Sequence, residues 1–397
     1  MAFFNKSSWG ENKVKSGLSK CGQCGLSKHC FSPKMEVVGS GKRKILFVVD
    51  APSENDDREG KPLTGEGGKI LKQAMDGIGE ELEDCWVVHA VICKPVQDTI
   101  EEYHIESCRP NLFKTIEKLQ PKVIIPLGTT AVQSLMRTEW GEKPGNIGRW
   151  SGWTIPSGMH KVWICPTHSP DYVLRMGSDA LLIRMLQENI QKAFSLEKKK
   201  LDAPLLKDLE SQIEIITKPR LARLRMKELA EKKGILAFDY ETTGLKPDNT
   251  KQEIVSCSFC LDGDDTFACM IDKPMHRTLS KVLQSERLKK IASNAKFEER
   301  WTMAKLGHKV EKWWWDTMFA AHRIDNRPKI TSIKFLSYVL LGIGDYDSHI
   351  KPYLQSRGTT EFNRIKKLDP KELLLYNGLD SLLEYIVAMK QRELLGW

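Results

Sequence analysis

Short buried strands alternate with amphipathic helices in two separate blocks of the sequence, and this alternation restricts the fold most. In the first block, KILFVVDAP and VWICPTH are typical of buried strands, and PKVIIPLGTTAVQSLM predicts a strand, a turn and a helix. In the second block, ILAFDYETTG, EIVSCSFCLDG and DTFACMI predict three consecutive antiparallel strands, followed mainly by helices. Strands that alternate with helices predict a parallel sheet covered on both faces. We therefore predict an α/β protein with two sheets.

A charged and polar stretch separates the two blocks. The helix LLIRMLQENIQKAFSLEKKK ends the first block, and DAPLLKDLESQ after it has the composition of a linker. The 397 residues allow two domains that each bury a core. We predict a first domain over 1–195, a linker over 196–211 and a second domain over 212–397. The second domain, a β-meander followed by helices, suits a ribonuclease H-like fold.

The composition indicates a soluble protein with an anionic partner. The formal net charge is +9, and nucleic acid is the commonest partner of a basic protein. No apolar run approaches the roughly 18 residues that a membrane span needs, so no membrane partner is expected. The start, MAFFNKSSWG, lacks the order of a signal peptide, which predicts a cytoplasmic location. In a reducing compartment the ten cysteines are expected to be buried thiols or metal ligands.

The cysteines open with CGQCGLSKHC, in which Cys21 and Cys24 stand two residues apart. Such a pair can be a zinc knuckle, a redox pair or half of an iron–sulfur site, and it cannot fill a tetrahedral site alone. A second Cys-x2-Cys, Cys257 and Cys260, lies in a predicted strand and points to opposite faces, so it cannot share a metal. One close pair and two distant single cysteines fit a [4Fe–4S] cluster better than zinc, which more often takes two pairs.

The first block resembles the family 4 iron–sulfur uracil-DNA glycosylases over roughly residues 18–195. Cys21, Cys24, Cys93 and Cys108 match the family's cysteine pattern, and ILFVVDAPSENDDREGKPLTGEGGKIL matches its first motif. The resemblance implies a parallel-sheet glycosylase-like domain in which these four cysteines hold a [4Fe–4S] cluster.

The pocket that removes uracil in that family is altered at several positions of this sequence. Asp50 stands for the family's glutamate, Leu63 for its stacking phenylalanine and His89 for its uracil-reading asparagine. Ser169 aligns with the catalytic histidine, and His168 lies one position early. Excision requires a flipped base to be stacked and read along its polar edge. We therefore expect this domain to bind DNA or a partner and to excise uracil weakly or not at all.

A second candidate site lies in ILAFDYETTG, where Asp239 and Glu241 are two residues apart on a predicted strand. The two-residue period places both carboxylates on the same side of the strand. Two acids on one rigid face are what a two-metal phosphodiesterase needs. The alternative is a chance Asp-x-Glu at a strand edge, which further acids downstream weaken.

The second block is similar to the DnaQ-like 3′–5′ exonucleases, specifically the proofreading domains of family A DNA polymerases. ILAFDYETTG matches the first motif, SNAKFEERW the second, and YNGLD the third, over about residues 210–397. The resemblance implies that Asp239, Glu241 and Asp380 hold two Mg²⁺ or Mn²⁺ ions about 4 Å apart. Tyr376 would orient the attacking water, and Glu298 replaces the family's aspartate at a further catalytic position.

Two further features of the second block each allow two interpretations. Asn294 is expected either to contact the DNA backbone or to cap its helix. The three tryptophans Trp313–Trp315 offer nucleic-acid stacking, but core packing is favoured because a strand turns at least one of them inward.

The fusion of the two blocks resembles the N-terminal part of certain bacteriophage DNA polymerases. The leading hypothesis is a metal-dependent 3′–5′ DNA exonuclease that acts on single-stranded 3′ ends, in the host cytoplasm if it is phage-encoded. No polymerase region follows Trp397, so we expect either a separately encoded DNA polymerase as partner or a free-standing exonuclease. One alternative is a bifunctional repair enzyme that also excises uracil, and another is a non-catalytic replisome scaffold.

Overall fold

The computed structural model describes residues 21–356, 358 and 361–397. The chain forms two compact units that divide between Ala203 and Pro204. The first twenty residues of the predicted domain 1–195, on which the signal-peptide expectation rests, lie outside the described residues. Among the residues described, no helix is both long enough and apolar enough to span a membrane.

The first unit is built on a five-stranded sheet. Its strands, in chain order, are β1 (Ile45–Val49), β2 (Trp86–His89), β3 (Val123–Leu127), β4 (Ile155–Ser157) and β5 (Val162–Ile164). They lie in the order β2-β1-β3-β5-β4. All neighbours are parallel except β4 and β5. The carboxyl ends of the parallel strands therefore meet at one edge, which is where α/β sheets usually place their ligand sites.

Helices cover this sheet on both faces. They are α1 (Glu54–Glu59), α2 (Glu66–Asp76), α3 (Glu102–Leu119), α4 (Thr129–Trp140), α5 (Pro170–Arg175) and α6 (Ala180–Ser195). The strands β1 and β3 are completely buried, and their apolar side chains form one core with α2 and α6. The predicted covered parallel sheet is confirmed, with one antiparallel strand at its edge.

The second unit contains a six-stranded mixed sheet. Its strands are β6 (Ile213–Ile216), β7 (Gly234–Thr242), β8 (Ile254–Leu261), β9 (Asp265–Met270), β10 (Leu288–Ala292) and β11 (Trp313–Asp316). The order is β11-β10-β7-β8-β9-β6. The meander β7-β8-β9 is antiparallel, as predicted, and β6, β10 and β11 join it in parallel.

The helices of the second unit begin with α7 (Leu206–Glu210), α8 (Pro219–Glu231), α9 (His276–Leu283) and α10 (Ala295–Leu306). They continue with α11 (Thr317–Ile324), α12 (Ile333–Leu341), α13 (Lys351–Leu354) and α14 (Pro370–Leu395). The helices α8 and α9 share a core with one face of the sheet. On the long helix α14, Asn377 contacts Ser256 of β8 and Asp239 of β7 through side-chain hydrogen bonds. The α/β fold class with two sheets is thus as predicted.

The predicted linker, residues 196–211, is partly ordered structure. It includes the short helix α7, whose Leu209 is buried, and Leu196 packs into the core of the first unit. The division between the two units falls inside this stretch.

Candidate functional site

Three carboxylates of the second unit meet where β7 and α14 cross. Asp239 and Glu241 lie on β7, and Asp380 lies in the middle of α14. One carboxylate oxygen from each lies within 4.8 Å of the others, and no other such group of three potential ligands occurs among the described residues. The two-residue period of a strand predicts that Asp239 and Glu241 lie on the same side of β7. Hard oxygen ligands at this spacing fit a divalent ion such as Mg²⁺.

The electrostatics of this cluster favour a bound cation. Burial raises the pKa of Asp239 to about 7. Burial also raises the pKa of Glu241 and of Asp380, and repulsion from Asp239 raises both further. Without a cation, the cluster therefore resists full ionisation, because each negative charge raises the free energy of the next. A divalent ion offsets this repulsion directly.

A layer of polar side chains fixes the carboxylates in place. Asn377 donates a 2.7 Å hydrogen bond to Asp239, and the hydroxyl of Ser256 donates to the Asn377 carbonyl over 2.8 Å. The hydroxyl of Tyr346 donates to Asp380 over 2.8 Å. The ring of Tyr376 stacks near that of Tyr346, with centroids 6.1 Å apart. Such a layer holds reactive groups at a fixed geometry.

Two further acids border the three carboxylates. Glu298, on α10, is buried, and its Oε2 has no hydrogen-bond partner among the described residues. Glu384 lies one turn after Asp380 on α14 and accepts the Ser293 N–H over 3.0 Å. Burial and repulsion from Asp239 raise the pKa of both Glu298 and Glu384. Sequence reasoning missed Glu384, although its four-residue spacing from Asp380 places both on one helix face.

Asn294 stands at the N-cap position of α10 but does not cap it. Its backbone is left-handed, with φ of 72°, and its side chain makes no capping hydrogen bond. Asp316 instead accepts the N–H groups of Asn294 and Ala295 over 3.2 and 2.9 Å. The capping alternative for the Asn294 side chain is therefore wrong, and the predicted DNA contact stays a prediction.

The three tryptophans divide between core and surface. Trp315 is buried and donates its ring N–H to Gln391 over 3.0 Å. Trp313 packs against the core beneath the sheet, and Trp314 lies against Arg392. Core packing is therefore the main role of this strand.

Five cysteines of the first unit lie in one region. Cys24, Cys30, Cys93 and Cys108 pack together around Leu26. Cys21 is exposed, and Asn111 donates to its sulfur over 3.6 Å. Cys30 is among the cysteines that could complete the site, although the family resemblance does not select it, and it contacts Cys93. No three of the described cysteines bring their sulfurs within 4.8 Å of one another.

The predicted pocket residues follow the carboxyl ends of the parallel strands. Asp50 follows β1, and its carboxylate accepts the Ala131 N–H over 2.8 Å at the start of α4. Burial raises the pKa of Asp50 to about 7. His89 ends β2 and is buried, and its Nε2 lies 3.7 Å from an Asp56 oxygen. Asp50 thus supports a helix start, a task that the sequence did not reveal.

The remaining pocket residues lie on two loops. Leu63 is half-buried with a left-handed φ of 61°, in a loop whose Thr64 donates to Asp56 over 2.8 Å. Ser169 accepts the Tyr172 N–H over 3.2 Å and so caps α5. The ring of His168 stacks on Tyr172, with centroids 4.9 Å apart. Ser169 therefore acts as a helix cap.

Comparisons with known proteins match a different family to each half of the chain. The family described as "Uracil DNA glycosylase superfamily" matches residues 37–194, and the family described as "3'-5' exonuclease" matches residues 213–390. The type-4 uracil-DNA glycosylase of Saccharolobus solfataricus is 34% identical over 165 residues, which are 40% of this chain and 74% of that protein. The chain belongs to the uracil-DNA glycosylase superfamily. Its C-terminal half is a 3′–5′ exonuclease domain.

Two further relatives bear on the fusion. The type-4 uracil-DNA glycosylase of Thermotoga maritima is 31% identical over 194 residues, which are 47% of this chain and 94% of that enzyme. The DNA polymerase of Bacillus phage SP01 is 23% identical over 343 residues, which are 80% of this chain and 36% of that polymerase. The predicted fusion of a type-4 glycosylase-like half with an exonuclease half is confirmed. Nucleic acid is therefore the substrate class, and the exonuclease fold implies divalent ions such as Mg²⁺.

Glu298 allows a sharp test of this exonuclease domain. Glu298→Asp shortens a buried acid to the residue usual in the resembled family, so we expect the trimming rate to hold or to rise. The measurement is the initial rate on single-stranded DNA at several Mg²⁺ concentrations. Glu299→Asp, on the neighbouring and partly exposed residue, is the control for helix effects. A collapse with Glu298→Asp alone would mean that the site is built around the longer acid.

Proposed function

We propose that the chain is a metal-dependent 3′–5′ DNA exonuclease of the proofreading type, which acts on single-stranded 3′ ends in phage DNA replication. The observation that carries this is the meeting of Asp239, Glu241 and Asp380 within 4.8 Å on rigid elements of an exonuclease domain. The phage polymerase relative and the glycosylase-like half support DNA as the substrate.

The roles of the residues follow from their chemistry. Asp239, Glu241 and Asp380 would hold two divalent ions, which supply water activation and offset charge on the leaving oxygen. Asn377 and Tyr346 keep Asp239 and Asp380 in position through their hydrogen bonds. Tyr376, one turn before Asp380 on α14, orients the attacking water. Asn294, at the start of α10, contacts the DNA backbone.

The N-terminal half would carry a [4Fe–4S] cluster with a structural task. Cys21, Cys24, Cys93 and Cys108 are the proposed ligands. Three of them pack together in the first unit, and the sulfur of Cys93 also accepts the Lys34 N–H over 3.3 Å. The cluster would tie the segment around Leu26 to α3 and to the loop after β2. The glycosylase-like domain then serves as a DNA-binding module.

Uracil excision by this module should be slow or absent. Leu63 offers no aromatic face for stacking, and His89 is buried against Asp56 and cannot present an amide to uracil. Leu63→Phe combined with His89→Asn should recover some excision, measured as abasic sites in uracil-containing duplex. His29→Asn, at an exposed histidine, is the control. Brisk excision by the unchanged protein would favour the bifunctional repair enzyme.

The polarity and substrate class of the exonuclease are tested together. Strands of DNA and RNA with one sequence, labelled at the 5′ end, are incubated with Mg²⁺ or Mn²⁺ and separated by length. We expect a ladder that shortens one nucleotide at a time from the 3′ end of the DNA, with release of nucleoside 5′-monophosphates. The same reaction with a separately added DNA polymerase tests whether the two act together.

A further inference from the structure

A groove between α8 and α9 on the second unit is lined by cations. Its volume is about 450 Å³, and none of its lining residues is acidic. The helix α8 contributes Arg220, Arg223 and Lys227, and α9 contributes Arg277 and Lys281. A groove with charges of one sign concentrates ligands of the opposite sign.

The sequence places these cations in two rows. Arg220, Arg223 and Lys227 are three and seven residues apart, which puts them on one face of α8 over about 10 Å. Arg277 and Lys281 are four residues apart, which puts them on one face of α9 over about 6 Å. Because α8 and α9 border the same groove, the two rows lie on opposite sides of it.

These five cations differ from the neighbouring arginine of α8. Arg225 forms ion pairs with Glu214 at 2.9 Å and with Asp265 at 2.6 Å. No ion pair within 4.0 Å joins any of the five groove cations to a described acid. Like charges three or four residues apart repel each other on a helix, so an anion in the groove would relieve that repulsion.

The groove lies on the face of the sheet opposite the carboxylates. Phe238 and Tyr240 of β7 share a core with Met226 of α8 and Leu279 of α9. Asp239, between them on the strand, points to the other face and binds Asn377 of α14. A ligand in the groove is therefore separate from the three carboxylates.

We propose that this groove binds the phosphate backbone of a nucleic-acid strand whose 3′ end is trimmed elsewhere on the domain. This proposal rests on the proposed function only where it identifies the bound strand as the one that the exonuclease trims. Two rows of cations match a chain of evenly spaced phosphates, and the lining contains no aromatic side chain that could stack on bases. Without stacking on bases, binding in the groove is independent of the nucleotide sequence. The match of two cation rows to evenly spaced phosphates favours nucleic acid over an acidic protein surface as the ligand.

The test compares two double variants of the full chain with equal change in charge. Arg223→Glu with Arg277→Glu reverses one cation in each row. Lys233→Glu with Lys309→Glu reverses two exposed lysines outside the groove. Binding of a labelled 30-nucleotide oligothymidylate is measured by fluorescence anisotropy without divalent metal, between 50 and 200 mM salt, about the range over which such binding changes strongly.

The groove variant should bind at least about 10-fold more weakly at low salt. Its negative slope of log affinity against log salt should become shallower by about 1.4. The control variant should stay within about twofold of the unchanged protein. Equal affinities of the two variants would overturn the proposal, as would absence of binding by the unchanged protein. Because no catalysis is measured, an inactive but groove-dependent binder would contradict the proposed exonuclease function and leave the groove proposal standing.

Discussion

Asp239→Ala should reduce the rate of 3′ trimming by about 10³-fold or more. Asp239 lies at the centre of the cluster, where its carboxylate meets those of Glu241 and Asp380 within 4.8 Å and accepts a hydrogen bond from Asn377. Removing it deletes an oxygen ligand from the site where charge develops on the leaving group. The measurement is the initial rate on 5′-labelled single-stranded DNA under saturating Mn²⁺.

Three companion variants make the result specific. Asp264→Ala removes an exposed acid from the turn between β8 and β9 and should leave the rate unchanged. Asp380→Ala should match Asp239→Ala, since it removes another ligand of the same site. Tyr376→Phe should lose less, because all the carboxylates remain. An Asp239→Ala protein that trims at nearly the normal rate would mean that the three carboxylates are not the metal ligands.

Cys93→Ala should remove the iron from the protein and destabilise the N-terminal half. Anaerobically purified wild-type protein should be brown and contain about four irons per chain. Cys93 is buried against Cys30, Cys24 and Cys108, so its loss opens the cluster region to solvent. Trimming by the C-terminal half should be largely retained, because each half forms its own compact unit. Iron analysis and a thermal melt measure the first two effects.

Cys30→Ser is the informative control for this experiment. Cys30 packs among the same cysteines but lies outside the four proposed ligands. The proposal therefore expects Cys30→Ser to keep its iron and Cys21→Ser to lose it. The reverse outcome would exchange Cys30 for Cys21 in the ligand set. A colourless wild-type protein with one zinc per chain would contradict the cluster itself.

The neighbours on β7 and α14 show what local sequence can predict. The alternation along β7 places Asp239 and Glu241 on one side, and the helical spacing of α14 places Asn377, Asp380 and Glu384 on one side. Both periods are properties of the backbone, so they can be read before any tertiary contact is known. The meeting of the two elements follows from the resemblance to a known fold.

Other contacts of the site depend on tertiary structure that no period reveals. Tyr346 lies in the irregular segment after α12, and only the folded chain brings its hydroxyl to Asp380. Asp316 starts α11, yet it also accepts the N–H groups at the start of α10, twenty-one residues or more away in sequence. Positions like these lack a local signature, because the partner is decided by packing.

Two residues of the glycosylase-like half show where a motif match stops being informative. The motif resemblance predicts that Asp50 and Ser169 stand at positions that are catalytic in the resembled family. In the fold, Asp50 holds the start of α4 and Ser169 caps α5. A side chain that accepts backbone N–H groups at a helix start has a structural task of its own. A motif match alone cannot distinguish that task from catalysis.

The most direct test of the central claim is a metal titration of exonuclease activity. The metal-free protein is mixed with 5′-labelled single-stranded DNA, and Mg²⁺ or Mn²⁺ is added stepwise while strand length is followed. We predict no trimming without metal and stepwise 3′ shortening once metal is added, with Asp239→Ala inactive throughout. Wild-type protein that leaves the strand intact at every metal concentration, with and without an added polymerase, would contradict the account and favour a non-catalytic scaffold.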